Sequence, residues 1–232
     1  MNVKALIRRV NHTLKLHKLF PEHSRILVAC SGGPDSMALL HLLQDIAAHR
    51  HTKYKLGIAI VDHSIRPESK DEVLWLRNQV DALGLSFYTT TFDVPTLSKD
   101  LKLSEETVGR RVRYQWLNEI AQSEGYDYIA VAHHKDDQAE SILAHLIRGT
   151  GLKGLTGMAV VSNDYDIPVV RPLLDVTKAE LLAYLADRKL TYCIDSTNDD
   201  IRYQRNRIRH RIIPELESIN PNVVDAIARL GG

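Results

Sequence analysis

The chain has 232 residues, 44% hydrophobic and 25% charged, which fits one large α/β domain, or one domain with a short appendage. A chain of this size and composition can bury a core without staples, which excludes disordered, collagen-like and disulfide-scaffold polypeptides. Thirty Lys and Arg against 29 Asp and Glu give a net charge of +1, so only local clusters can argue for nucleic acid.

Residues 3–18 repeat apolar side chains at Val3, Leu6, Ile7, Val10, Leu14 and Leu16 and predict a helix with a polar face. Residues 25–30 (RILVAC) form a short apolar run that stops abruptly at Ser31-Gly32-Gly33-Pro34-Asp35-Ser36, as a buried strand running into a loop would. A helix is predicted over 37–49, a second buried strand over 54–62 and a second helix over 69–83. Residues 86–92 alternate as a third strand, and 104–123 read as a helix opened by Ser104, Glu105 and Glu106 at its electropositive end. A fourth strand over 128–132 leads to a helix over 135–148. Beyond Gly149 the rhythm changes, with glycines at 149, 151, 154 and 157 and then a strand over 167–172. A helix over 176–188, the polar run 195–198, a basic helix over 206–219 and a helical pattern over 223–230 complete the chain.

Strands alternating with helices imply an α/β fold, a doubly wound parallel sheet with helices on both faces. In such sheets ligands lie beyond the carboxyl ends of the strands, which nominates residues 31–36, 62–69 and 132–140, all of them polar. The cysteines, Cys30 and Cys193, are too few for a disulfide framework or a four-cysteine zinc site and suit a reducing compartment, so a cytoplasmic location is expected. No run approaches the roughly 20 apolar residues that a bilayer requires, and no membrane partner is expected.

The segment 31–36 is the sharpest chemical signal. Glycines let a backbone approach an anion, serines add donors, and the following helix start presents unpaired N–H groups. Asp35 would repel bare phosphate, so its presence asks for Mg²⁺ between them. Capping of the helix by Ser31 and Asp35 needs fewer of these residues than are present. No Walker A triplet occurs, and residues 149–154, though they match G-x-G-x-x-G, follow a helical segment where a dinucleotide fold needs a strand; they read as a flexible substrate loop. Asp137 and Glu140 share one helix face at three-residue spacing, whereas Asp136 is equally well explained as a solvated acid at a helix start. His133 and His134 are neighbours, so at a strand end they point opposite ways and make no zinc pair; a hydrogen-bonding role or packing fits them better. Arg205 with Arg209, and Arg207 with Arg211, form two stripes of a helix whose guanidinium groups can grip phosphate; Arg202 extends the basic run.

A serine–glycine loop of this form after a β-strand resembles the PP-loop (adenine nucleotide alpha hydrolase-like) domain of the N-type ATP pyrophosphatases. Within them the chain is similar to the tRNA(Ile)-lysidine synthetase family. The likeness rests on the order of residues 62–69, Glu106, Arg110, Arg113 and Tyr114, residues 132–140, 148–151, 171–173, 195–198 and 205–209. It implies a catalytic domain over residues 1–215, with 216–232 opening a helical linker to a C-terminal region not in this chain. It further implies ATP-dependent ligation of lysine to C2 of the wobble cytidine at position 34 of a CAU-anticodon isoleucine tRNA, through an adenylated cytidine. The partners implied are that tRNA, free L-lysine and a second copy of the chain; the cofactors are ATP and Mg²⁺. Ser31, Gly32, Gly33, Pro34, Asp35 and Ser36 would hold the nucleotide, and Asp35 and Asp137 the metal. Glu140 would receive the lysine amines. Arg113 and Arg205 complete the catalytic set, with His133 near the nucleotide and His63 either beside the adenosine or an ordinary loop histidine. The alternatives are another PP-loop tRNA modifier such as a thiolase, disfavoured because the cysteines form no C-x-x-C pair, and an ATP-binding module without chemistry.

Overall fold

A computed structural model of the chain describes residues 3–48, 53–64, 69–194 and 204–231. The predicted segments 195–198 and Arg202, and part of the nominated segment 62–69, lie outside the described residues. The chain runs α1 (Val3–Leu16), β1 (Arg25–Ala29), α2 (Pro34–Ala47), β2 (Lys55–Asp62), α3 (Ser69–Ala82), β3 (Ser86–Thr91), α4 (Val94–Leu101) and α5 (Glu105–Ser123). It continues through β4 (Tyr128–Ala130), α6 (Lys135–Ile147), α7 (Leu152–Leu155), β5 (Val161–Ser162), β6 (Val169–Val170) and α8 (Lys178–Asp187). After the undescribed stretch come α9 (Gln204–Arg207), a π-helical turn (Ile208–Ile212), α10 (Ile213–Ile219) and α11 (Val223–Ala228).

The strands form a six-stranded sheet in the order β3-β2-β1-β4-β6-β5. Every pairing is parallel except the edge pair β5–β6. Alternation along β1 distributes the core: Ile26, Val28 and Cys30 enter one apolar cluster with α1, α2, α3 and α8, while Leu27 enters a second with Tyr114, Leu117 and Ala121 of α5. The sheet is therefore covered on both faces, as the uninterrupted apolar runs of β1 and β2 require.

The strand at 169–170 is shorter than the predicted 167–172 because Pro168 and Pro172, which lack N–H donors, flank it. Neither α4 nor β5 was anticipated, each being too short to print a periodicity. Asp93 starts α4 by accepting from the Thr96 amide at 3.0 Å, and Lys102 ends it in the left-handed region at φ +53°. The glycine-rich stretch after Gly149 contains the short α7 and is tied down by Gln138, whose amide brackets the Met158 backbone at 2.7 and 3.1 Å. The C-terminal helices fold back onto α6: Leu143 packs with Ile208 and Ile213, and Lys135 pairs with Asp225 at 2.6 Å. The division anticipated at residue 216 falls inside α10.

In β2, a Cβ added to Gly57 would overlap the hydroxyl of Tyr126, whose buried ring stands edge-on to Tyr88 at 6.0 Å. Gly57→Ala is expected to cost about 1–3 kcal/mol, read as a thermal midpoint lower by several degrees. An unchanged midpoint would show that Tyr126 yields freely.

Candidate functional site

The order of strands changes direction between β1 and β4, so the loops leaving their carboxyl ends part and open a crevice. A cavity of about 470 Å³ lies there, lined by Ser31, Gly33, Pro34, Asp35 and Ser36 after β1, Asp62 and His63 after β2, and His133 and Asp137 after β4. Arg113 and Tyr114 of α5, Lys178 of α8, Cys193 and Arg209 complete its wall. The three segments nominated from the sequence thus meet in one place.

The loop after β1 is shaped by its own side chains. Gly32 takes φ +80°, a left-handed conformation that favours glycine, and its carbonyl accepts from the Cys193 amide at 2.8 Å. Pro34 occupies the first turn of α2, where a missing N–H costs nothing. Ser36 is buried; its hydroxyl donates to the Gly33 carbonyl at 3.0 Å, accepts from the Ser31 amide at 3.2 Å and lies 3.3 Å from the Ser31 hydroxyl. The N-terminus of α2 consequently faces the cavity with its orphan N–H groups and dipole, suited to an anion.

Asp35 does not stand alone beside that helix end. The Lys178 ammonium donates to its two carboxylate oxygens at 2.6 and 2.7 Å, and His134 Nε2 lies 3.7 Å away. Burial works against ionisation of Asp35, but His134 and Lys178 outweigh it and hold its pKa below the ordinary value. His134 itself is buried, with Nδ1 3.4 Å from Asp136 and Nε2 3.4 Å from Asp137. Burial opposes its protonation, but the bonds to Asp136 and Asp35 and the charge of Asp137 prevail and raise its pKa to about 9. His134 is a cation that ties the loop after β1 to the start of α6.

Glu140 is fully buried and its charge is met by guanidinium groups. Arg205 Nε donates to it at 2.9 Å, and Arg209 donates through Nε at 2.6 Å and Nη2 at 3.0 Å. The same arginines reach Asp137 Oδ1 at 3.1 and 3.3 Å, while Asp137 Oδ2 accepts from the His134 amide at 3.0 Å. Arg205 and Arg209 share the inward stripe, and Arg207 and Arg211 are exposed on the other. Among the arginines of α5, Arg113 is half-buried in the cavity wall, Arg111 is exposed, and Arg110 stacks over Tyr114 at 4.8 Å. Tyr114 stacks in turn on Tyr165 at 5.6 Å.

His133 and His134 do point to different surroundings, as adjacent strand-end residues must. Burial, and then the charges of Arg171, Arg113, Arg205 and Arg110, push the His133 pKa well below normal. His63 is lowered to about 4 by burial and Arg113. The Nδ1 atoms of His63 and His133 are buried without a partner among the described residues. Of the two groups central to this network, His134 was read from the sequence only as a hydrogen-bonding or packing residue, and Lys178 was not a candidate. The i,i+3 pairing of His134 with Asp137 hinted at the first, and nothing local marked the second.

The arrangement suits a phosphorylated nucleotide: an electropositive helix end, a glycine cradle and two imidazole side chains line one space. No cluster of three metal-ligating side chains occurs among the described residues. Magnesium, which keeps waters and takes one or two carboxylates plus substrate phosphates, needs no such cluster, and the hard oxygens of Asp35 and Asp137 fit it. Among the described residues, no helix is long and apolar enough to cross a membrane.

A sequence profile of the PP-loop domain matches residues 4–216. The chain is 39% identical over 227 residues to a tRNA(Ile)-lysidine synthase of Porphyromonas gingivalis, covering 97% of this chain and 48% of that protein. It is 39% identical to the tRNA(Ile)-lysidine synthase of Thermosipho africanus over 97% of this chain and 51% of the relative. For that of Chlorobaculum tepidum the identity is 38%, over 86% of this chain and 59% of the relative. The chain therefore spans about half the length of the curated relatives it matches. Among solved structures, a U34-tRNA thiolase of Methanococcus maripaludis with an iron–sulfur cluster superposes with a TM-score of 0.79 at 20% identity, covering 98% of this chain and 76% of that one. An NMN synthetase of Francisella tularensis gives 0.56 at 12%, over 82% and 72%. These two likenesses concern the fold alone.

The unfolded chain takes up a proton at His63 near pH 6.5 but the folded chain only near 4, so acidification across that window favours unfolding. Urea titrations are expected to show the wild type losing stability from pH 6.5 to 4 more steeply than a His63→Gln variant. Parallel curves for the two proteins would contradict the assigned environment.

Proposed function

Because this chain belongs to the PP-loop domain family, we propose that it carries out the reaction for which its curated relatives are named, the ATP-dependent joining of lysine to the wobble cytidine of tRNA(Ile). The observation that carries this reading is the meeting, at one cavity, of the loop after β1 with Asp137 and Arg209, behind which Glu140 lies buried between Arg205 and Arg209.

ATP, in this reading, lies with its phosphates against the N-terminus of α2, where the amides and hydroxyls of residues 31–36 hold developing charge on the departing pyrophosphate. Asp35 and Asp137 would hold Mg²⁺, which supplies neutralisation of phosphate charge. His63 and His133, in the cavity wall, stand beside the nucleotide. Lysine must react as the neutral amine, and an amine of ordinary pKa costs about 4.6 kcal/mol to deprotonate at pH 7. Glu140, buried between guanidinium groups, would meet the lysine ammonium by exchange with Arg205, and a carboxylate among Asp136, Asp137 and Glu140 would take its proton before the neutral amine attacks. Arg113 adds positive charge at the opposite wall. The exposed pair Arg207 and Arg211 serves the RNA backbone. The reaction is cytoplasmic in this reading, as tRNA and ATP are.

The thiolase reading draws support from fold likeness alone. The two cysteines of this chain, Cys30 and Cys193, are fewer than an iron–sulfur cluster's usual thiolates, and their pKa values are raised by burial, which weakens them as sulfur carriers.

Incubation with ATP, lysine and CAU-anticodon isoleucine tRNA is expected to release AMP in a lysine-dependent manner, and Asp35→Ala to lower that rate about a hundredfold or more. AMP release no higher than without lysine would refute the ligase reading, and dependence on sulfide would favour the thiolase. Changing Arg207 and Arg211 together to Ala should flatten the salt dependence of tRNA binding by about 1.5 in slope if both touch phosphates. An unaltered slope would remove them from the interface.

A further inference from the structure

Charge is nearly balanced over the whole chain, 30 Lys and Arg against 29 Asp and Glu, yet no acid occurs before Glu22. Lys4, Arg8, Arg9, Lys15 and Lys18 all fall within that stretch. Other helices mix their charges, as α3 does with Lys70, Asp71, Glu72, Arg77 and Asp81, whereas every charged side chain of α1 is a cation. Spacings of four, four and three residues put Lys4, Arg8, His12 and Lys15 on one stripe of α1, and all four are exposed. At 1.5 Å per residue the stripe is about 16 Å long, enough to face several phosphates of one nucleic-acid strand.

The helix is fixed by its other side. Leu6, Val10 and Leu14 are buried in the apolar cluster shared with α2 and α8, and Arg9, the cation of α1 that lies off the stripe, pairs with Glu180 at 2.6 Å. Glu180 stands in the first turn of α8, two positions from Lys178 of the cavity wall, so α1 is anchored beside the candidate site. Helix stability does not account for the stripe. No acid lies three or four positions from Arg8 or Lys15, Lys4 and Arg8 are like charges one turn apart, and Lys4 sits in the first turn, where the dipole disfavours a cation. A helix that lies on a membrane needs an apolar face to insert, and that of α1 is buried in the core. What the stripe offers a partner is charge along a line, which suits a polyanionic backbone.

We propose that the stripe of Lys4, Arg8, His12 and Lys15 docks the RNA substrate by its phosphate backbone, outside the cavity that receives the reacting base. The inference rests on the tRNA reading above and deepens it, giving the chain a second RNA surface separate from Arg207 and Arg211. Contacts to phosphate fix register and orientation and carry no sequence information, so the stripe adds affinity while the cavity selects the base.

Fluorescence anisotropy of labelled isoleucine tRNA over a series of salt concentrations tests this. Arg8→Gln with Lys15→Gln is expected to weaken binding about 5- to 25-fold at a given salt concentration and to flatten the log–log salt slope by about 1.5. ATP affinity should be unchanged, since neither residue lines the cavity. Arg8→Lys with Lys15→Arg, which keeps both charges, should bind as the wild type does. Lys99→Gln with Lys102→Gln removes the same charge from α4 and its end, and should shift tRNA affinity less than about twofold. Should the first pair lower the thermal midpoint, Arg8→Ala with Lys15→Ala makes the same comparison. An unaltered slope, or an equal loss in the α4 pair, overturns the role of the stripe while leaving the tRNA reading intact. Loss of binding to phosphatidylglycerol vesicles with tRNA affinity unchanged would overturn it in favour of a membrane. A wild-type chain that binds no tRNA overturns both.

Discussion

A parallel sheet buried on both faces can offer a ligand only its strand ends, and in this chain the strand order changes direction beside β1. The backbone leaving β1 must turn sharply to enter α2 on one face while β4, its neighbour, sends its chain into α6. Gly32, with φ +80°, and Pro34, already set for a helix, make that turn. Most of the polar chemistry follows from it: the N-terminus of α2 is left facing a crevice, Asp35 is fixed at its rim, and the residues after β4 stand opposite.

The second constraint is electrostatic. A carboxylate as completely buried as Glu140 survives only when paired, and removing its partners would cost far more than the pair contributes. Both guanidinium groups that meet it come from the segment beginning at Gln204, so the C-terminal helices are bound to the site by charge as well as by the small apolar cluster around Leu143, Ile208 and Ile213. His134, charged and surrounded by Asp35, Asp136 and Asp137, joins the two halves of the crevice. The site is thus a set of matched charges that a polyanion can enter only by exchanging partners.

Much of this was legible in the residues. Runs such as 25–30 and 54–62 read as strands because burial on both faces demands uninterrupted apolar side chains, and the loop after β1 announced itself by glycines and serines crowded against a strand. The four-residue spacing of Arg205 and Arg209 placed them on one face, but only packing could say that the face meets Glu140. Lys178 was invisible for a different reason: an ion pair spanning 143 positions leaves no local pattern, and a lysine at a helix start looks like any surface residue. The elements that escaped, α4, α7 and β5, are too brief to set a period. Adjacent histidines were read rightly as facing apart, while their relative importance depended on which side held the acids.

The chain is like a thiolase in fold and like lysidine synthases in sequence, so the fold by itself does not name the substrates. The claim on which the account stands is that the strand-end crevice holds a triphosphate. Crystals soaked with ATP and magnesium test it directly. The account predicts phosphate density over Gly32 and Gly33, against the first turn of α2, with a metal at Asp35. Nucleotide bound elsewhere, or a loop at 31–36 turned away from it, would contradict it.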